Sequence, residues 1–242
     1  MPDVEITSGI RRLGPGLVNS YLVEDRGAVT IVDCGAPGYW NALPAELAAM
    51  GRTLDDVRAV VLTHAHTDHI GFAERIRRER RVPVNVHELD VALTKKPAYP
   101  KWSGSLNVVA AFRFLAFALA NGMASTTPIL EVSSFADGAT LDVPGSPRVI
   151  HVPGHSEGMS AIHFTSRDAI FVGDAFVTLD VLSGATEPRL SPFNADASRA
   201  YESLARLDRV DARLVLPGHG AAWTSGLAEA LRMVRSHGAP AR

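Results

Sequence analysis

His64-Ala65-His66-Thr67-Asp68-His69 puts three histidines and one aspartate within six residues. Neutral imidazole and carboxylate are good ligands for Zn²⁺, and imidazole also suits iron. If the segment is locally extended, residues 64 and 66 point the same way, and Asp68 and His69 follow on the turn into the next helix. Such a segment cannot easily give all four side chains to one tetrahedral ion, so two neighbouring ions are the simpler solution. Gly154-His155, Gly173-Asp174 and Gly218-His219-Gly220 offer the further ligands that two ions would need. Five of the nine histidines therefore fall in these segments. The single cysteine, Cys34, excludes an intramolecular disulfide framework and a thiolate zinc finger. Any metal site must use His and carboxylates, and Cys34 itself reads as a small buried hydrophobe.

These ligands need a rigid frame, and the pattern supplies one. Each candidate segment follows an apolar run: Val60–Leu62, Val149–Val152, Ile170–Val172 and Leu214–Leu216. The runs read as strands that each deliver a His or Asp into a glycine-containing loop. Further strands are expected at Val4–Ile6, Val18–Val23, Ala28–Val32, Val82–Val86, Leu130–Val132, Thr140–Val143 and Ser160–Thr165. Helices are expected at 41–51, 70–80, 106–119, 195–208 and 227–236, with a loop opening at Lys95-Lys96-Pro97 and Tyr99-Pro100. Strand clusters with helices between them in both halves predict a layered α/β domain, α+β by some schemes.

The 242 residues carry 24 basic and 26 acidic side chains, a net charge of −2, with 46% hydrophobic and 21% charged residues. This is the composition of a globular protein rather than a disordered or fibrous one. The near-neutral balance gives no general reason to expect nucleic acid or an anionic membrane as partner. The longest apolar stretch, 106–120, is interrupted by Arg113 and falls short of the ~20 residues of a membrane span. No secretory signal is visible, so a cytoplasmic location is expected.

His-x-His-x-Asp-His at 64–69, followed in order by His155, Asp174 and His219 and preceded by Asp33, resembles the metallo-β-lactamase-fold hydrolase superfamily. The likeness runs from about residue 17 to residue 220. It implies a single domain over 1–242, built as a four-layer αβ/βα sandwich with two mixed sheets and a helical insertion or lid at about 95–130. It implies one metal held by His64, His66 and His155, a second held by Asp68, His69 and His219, and Asp174 bridging them. Asp33 would stand behind them and orient the ligand loop. The implied cofactors are two divalent ions, zinc with iron or manganese as alternatives. A hydroxide shared by such ions attacks an electrophilic centre, with Asp68 orienting it and carrying a proton toward the leaving group. Within the superfamily the chain resembles the glyoxalase II and lactonase-like branch rather than a true β-lactamase, because Asp174 occupies the bridging position. It departs from homoserine-lactone hydrolases at Val177, where they commonly have Tyr, and from glyoxalase II at Gly220-Ala221, where Glu-Tyr is usual.

The reading is then a hydrolase of an ester, lactone or thioester with a small-molecule substrate. The alternatives are a phosphodiesterase or nuclease, a single-iron persulfide dioxygenase, and a non-catalytic metal-binding protein. A rival chemistry sits in Gly154-His155-Ser156-Glu157-Gly158, which matches the G-x-S-x-G elbow of serine hydrolases, but that elbow needs a helix after the serine where 159–164 reads as a strand. The basic run Arg75–Arg81 is expected to be a solvated helix face paired with Glu74 and Glu79. His87, His151 and His163 are expected to be packed or hydrogen-bonded, and His237 solvated. Segment 106–119 admits three roles: a buried helix, half of a homodimer contact, or a lid whose Phe112, Phe114, Leu115 and Phe117 line an apolar pocket with Trp102 at its rim.

Overall fold

The structure, a computed structural model, describes residues 5–98, 102 and 104–240. Its larger sheet has seven strands in sequence order: β1 (Glu5–Thr7), β2 (Ile10–Leu13), β3 (Ser20–Asp25), β4 (Ala28–Val32), β5 (Val57–Val61), β6 (Val84–His87) and β7 (Ser133–Phe135). The first four pair antiparallel and the last four parallel, through β4. The smaller sheet runs in the order β11 (Leu214–Pro217), β10 (Ala169–Gly173), β9 (Ser160–Phe164), β8 (Arg148–His151). Both sheets are mixed, because β10 and β11 are parallel while β8, β9 and β10 are antiparallel neighbours.

Alternation along the strands builds the layers, since successive side chains leave opposite faces. Leu22 and Ile31 pack with Leu43, Leu47, Ala73 and Ile76, side chains of helices α1 (Leu43–Ala49) and α2 (Ala73–Arg80). Their neighbours Tyr21, Val23 and Val32 turn the other way, against Val149, Ile162, Phe171 and Leu216 of the second sheet. The far face of that sheet, with Ala161, Ile170, Val172 and Val215, is covered by Leu227, Ala230, Leu231 and Val234. These four lie at helical spacing on α6 (Leu227–Ser236). Three apolar interfaces between four layers give the helix–sheet–sheet–helix sandwich expected from the resemblance. The remaining helices are α3 (Val91–Lys95), α4 (Val108–Ala120) and α5 (Ala197–Ser203). No helix of the described residues is long and apolar enough to cross a membrane.

Several expectations shift. Strand β2 was hidden by its two central arginines, and Thr140–Val143 forms only an isolated bridge, Thr140 to Arg148, between turns at Gly138 and Gly145. The strand expected at Leu130–Val132 starts at Ser133. The helix expected at 195–208 is α-helical only to Ser203 and tightens into a 3₁₀ turn over Leu204–Leu207. Val4, Tyr99 and Pro100 lie outside the described residues. The basic run pairs with carboxylates: Arg75 with Glu79 at 2.8 Å, Arg77 with Glu74 at 2.8 Å and Arg80 with Asp55 at 3.0 Å. Cys34 is fully buried in the helix-side core.

Candidate metal centre

The loops that carry the candidate ligands leave the strand ends on one edge of the sandwich. The chain exits β5 into Thr63 and His64, β8 into Gly154 and His155, β10 into Asp174, and β11 into Gly218 and His219. Backbone bonds lock these loops together: Gly218 donates to the Gly173 carbonyl at 2.8 Å, and Ser160 to that of Thr63 at 2.9 Å. Gly218 is required by close approach, because a Cβ there would stand 2.2 Å from Asp174 Oδ1 and 2.6 Å from His69 Cε1. Gly173 sits at φ +48°, where a Cβ would meet Thr63 Oγ1 at 2.5 Å.

All seven sequence-derived candidates converge, and all are buried. Ligand atoms of His64, His66 and His155 lie within 4.8 Å of one another, and so do those of Asp68, His69 and His219. In the first trio, His155 Nε2 is 2.8 Å from His66 Nδ1 and 3.1 Å from His64 Nε2. Asp174 stands between the trios: its Oδ2 is 3.6 Å from His155 Nε2 and 3.1 Å from His219 Nε2, and its Oδ1 is 3.5 Å from His69 Nε2. Asp68 Oδ2 is 3.4 Å from His219 Nε2.

Outer hydrogen bonds set the tautomers. Asp33, buried and held at φ +59°, accepts from the Thr63 backbone N–H at 2.7 Å, the Thr63 hydroxyl at 2.8 Å and His69 Nδ1 at 2.9 Å. That leaves His69 Nε2 aimed into the site. With its own proton committed to Asp33, the Thr63 hydroxyl accepts from His64 Nδ1 at 3.1 Å, and His64 Nε2 is likewise turned inward. His219 Nδ1 donates to the Leu17 carbonyl. An imidazole tied back at one nitrogen in this way is oriented to coordinate through the other.

The electrostatics divide along the same line. Burial and neighbouring imidazoles hold His64 well below its ordinary value and bring His66 down to about 3, so both are in the neutral form that ligates metal. Burial alone would also depress His69 and His219, but carboxylates outweigh it. Asp33, Asp68 and Asp174 raise His69 to about 9, and Asp174 and Asp68 raise His219. Burial would raise Asp68 and Asp174, yet the imidazoles beside them keep both ionised. This half of the site carries a negative field that attracts a cation. His69 Nε2 and Asp174 Oδ1 are buried with no hydrogen-bond partner among the described residues. The orphaned carboxylate oxygen and the facing ring nitrogens fit divalent ions, which would displace the protons that the carboxylates favour on His69 and His219.

One positioning residue escaped the sequence reading. Asp90, just after β6, accepts from the Ala65 N–H at 3.1 Å, the Ser156 hydroxyl at 2.8 Å and the Gly158 N–H at 2.7 Å. It ties the loop bearing His64 to the loop bearing His155. The only available sign was its place after an apolar run, without the glycine that marks the other loops. Its bond also disposes of the serine-elbow reading: Ser156 faces Asp90, and strand β9 follows rather than a helix.

A cavity of about 390 Å³ opens onto this cluster. His66, Asp68, His155, Asp174 and His219 form one side, and Phe114, Leu115, Leu119, Met123, Val181 and Phe193 an apolar wall. Of the expected wall residues, Phe114 and Leu115 are there. Phe112 points outward, 69% exposed. Phe117 packs edge-on to Tyr39 at 6.2 Å between ring centres, beneath the helix. Trp102 pairs through its backbone with Phe193, placing it beside the wall rather than in it. Leu119, Met123, Val181 and Phe193 were not foreseen, since they come from three separate segments. His87 stacks on His151 at 4.2 Å, and His151 Nε2 bonds the Glu157 carbonyl, so both are structural.

Comparison with known proteins agrees with this geometry. The chain is 25% identical over 230 residues to the probable metallo-hydrolase YflN of Bacillus subtilis, covering 89% of this chain and 85% of the relative. Among solved structures, a metallo-beta-lactamase family protein of Thermus thermophilus, TTHA1429, superposes with a TM-score of 0.69 at 24% identity, covering 96% of this chain and 80% of its own. The protein TTHA1623, solved in a di-iron-bound form, gives 0.63 at 30% identity over 93% of this chain and 98% of its own. The sequence profile of the metallo-beta-lactamase superfamily matches residues 13–219, and the chain belongs to that superfamily.

Proposed function

We propose that this chain is a dinuclear metal-dependent hydrolase that cleaves an ester, lactone or thioester carrying an apolar group. The observation that carries this reading is the cavity itself, with a His/Asp cluster on one side and an apolar wall facing it. His64, His66 and His155 would hold one ion, Asp68, His69 and His219 the other, and Asp174 would serve both. Two divalent ions, zinc with iron or manganese as alternatives, would supply an activated water and polarise the bond to be cleaved. That a relative of 30% identity was solved with two irons supports a two-ion occupancy.

The chain's own residues do the rest. Phe114, Leu115 and Leu119 would bind the apolar part of the substrate and exclude water from the reacting bond. Asp68, ionised and beside His219, can accept a proton at Oδ2 and return it to the departing oxygen or sulfur. Among the described lining residues there is no Lys or Arg to hold a phosphodiester, which favours the carboxylic bond over the nuclease alternative. The segment at about 95–130 acts as a helical lid inserted into the single domain. The test is a turnover panel of lactones, thioesters and bis-p-nitrophenyl phosphate with the metal-loaded protein. Hydrolysis confined to the carboxylic substrates is expected, and turnover of the phosphodiester alone would overturn the reading.

A further inference from the structure

Helix α4 is apolar on its solvent side. None of its 13 residues is buried, and Val108, Val109, Phe112, Leu115 and Leu119 are between 55% and 75% exposed. A surface helix ordinarily turns polar residues outward, and a contiguous apolar face marks an interface. The charge around it is equally unusual. Residues 91–130 contain Lys95, Lys96, Lys101 and Arg113 but no Asp or Glu, although the chain holds 26 acidic residues. The segment thus carries +4 in a chain of overall charge −2, a contrast that the overall balance conceals. Lys95, Lys96 and Arg113 are exposed, and Lys101 lies outside the described residues.

We propose that this face docks on an anionic phospholipid bilayer, with α4 lying in the headgroup layer. An exposed row of Val, Phe and Leu in a segment whose only charged side chains are cations is the chemistry that partitions into such a surface. Trp102, 42% exposed and paired through its backbone with Phe193 of the cavity wall, is a residue type that favours the same layer. The alternative occupant, a second copy, is disfavoured by charge, because a two-fold contact sets the same cations against each other. Leu115 and Leu119 belong both to the exposed face and to the cavity wall, so the cavity mouth opens beside the docked surface. A lipophilic substrate dissolved in the bilayer would then reach the site without crossing water. Adsorption is read without turnover, so its failure leaves the hydrolase reading standing, and failure of that reading leaves adsorption standing.

The experiment is co-sedimentation of the full chain with large vesicles of equimolar phosphatidylglycerol and phosphatidylcholine, or of phosphatidylcholine alone, at low and high salt. Binding to the anionic vesicles is expected, weakened at least about tenfold on the neutral ones or at high salt. The double variant Val109→Glu/Phe112→Glu is expected to lose it to the same degree, with its near-ultraviolet circular dichroism checked for folding. Lys95→Glu/Lys96→Glu, on a separate element, provides an independent variant with the same expected loss. Three results overturn the assignment: no adsorption to anionic vesicles, equal adsorption to both kinds, or a lipid-free dimer by light scattering that Val109→Glu/Phe112→Glu dissociates.

Discussion

Asp33 Oδ2 accepts the Nδ1 proton of His69 at 2.9 Å, while its two oxygens also hold the backbone and hydroxyl of Thr63. One carboxylate thus orients an imidazole and anchors the loop that carries His64, His66 and Asp68. An aspartate at φ +59° is a costly conformation for a non-glycine residue, which the three bonds offset. Asp33→Asn keeps the shape but loses the charge and one acceptor. Metal affinity is expected to fall about 10–100-fold in competition with a chromogenic chelator, with turnover recovering at saturating metal. Unchanged affinity would show that Asp33 only shapes the loop.

Gly218 leaves no room for a side chain between Asp174 and His69. Gly218→Ala places a methyl 2.2 Å from Asp174 Oδ1 and 2.6 Å from His69 Cε1, so the carboxylate, the imidazole or the loop must shift. Turnover and metal content are expected to drop together, while the sandwich, held by cores on either side, still unfolds cooperatively. Normal metal content with normal turnover would count against Asp174 as the shared ligand.

The apolar wall should act on binding rather than chemistry. Phe114 faces the cavity with its ring centre 6.5 Å from that of His219. Phe114→Ala is expected to raise KM about tenfold or more for a long-chain ester, from the ~1–3 kcal/mol that such contacts contribute. KM for an acetyl ester should hardly move. An equal effect on both esters would remove the wall from substrate recognition.

Two histidines away from the site add to the acid sensitivity that the depressed His64 and His66 also confer. Burial, with smaller contributions from neighbouring charges, lowers both His87 and His163 from the ordinary 6.5. The unfolded chain therefore takes up protons near pH 6.5 that the folded chain refuses, and stability falls as pH drops below that value. Urea midpoints should decline from pH 7 to pH 5. His87→Asn, which keeps an acceptor for the Leu89 N–H, should flatten that slope. A slope unchanged in the variant would refute the assignment.

The cluster was legible because its members lie in loops that follow apolar runs, and strand ends are where an α/β sandwich gathers its loops, whereas their division into two trios came only from the family resemblance. The layers were legible from alternation, as at Tyr21, Leu22 and Val23. Three things were not. Ile10–Leu13 carries Arg11 and Arg12 at its centre, so its pairing with β3 outweighs local polarity that hides a strand. Asp90 acts through bonds to residues 65, 156 and 158, which no local pattern connects. Helix α4 is apolar nearly all round, and periodicity cannot say which face of such a helix meets solvent, so Phe112 and Phe117 were both candidates for a pocket that neither lines.

The proposed hydrolase turns over only with metal at the His/Asp cluster. The direct measurement strips the protein with a chelator, titrates divalent metal back, and follows hydrolysis of a lipophilic ester alongside bound metal. Turnover should vanish on stripping and return to a plateau at about two ions per chain, and Asp174→Asn should fail to recover. Hydrolysis that survives stripping, or that returns fully in Asp174→Asn, would contradict it.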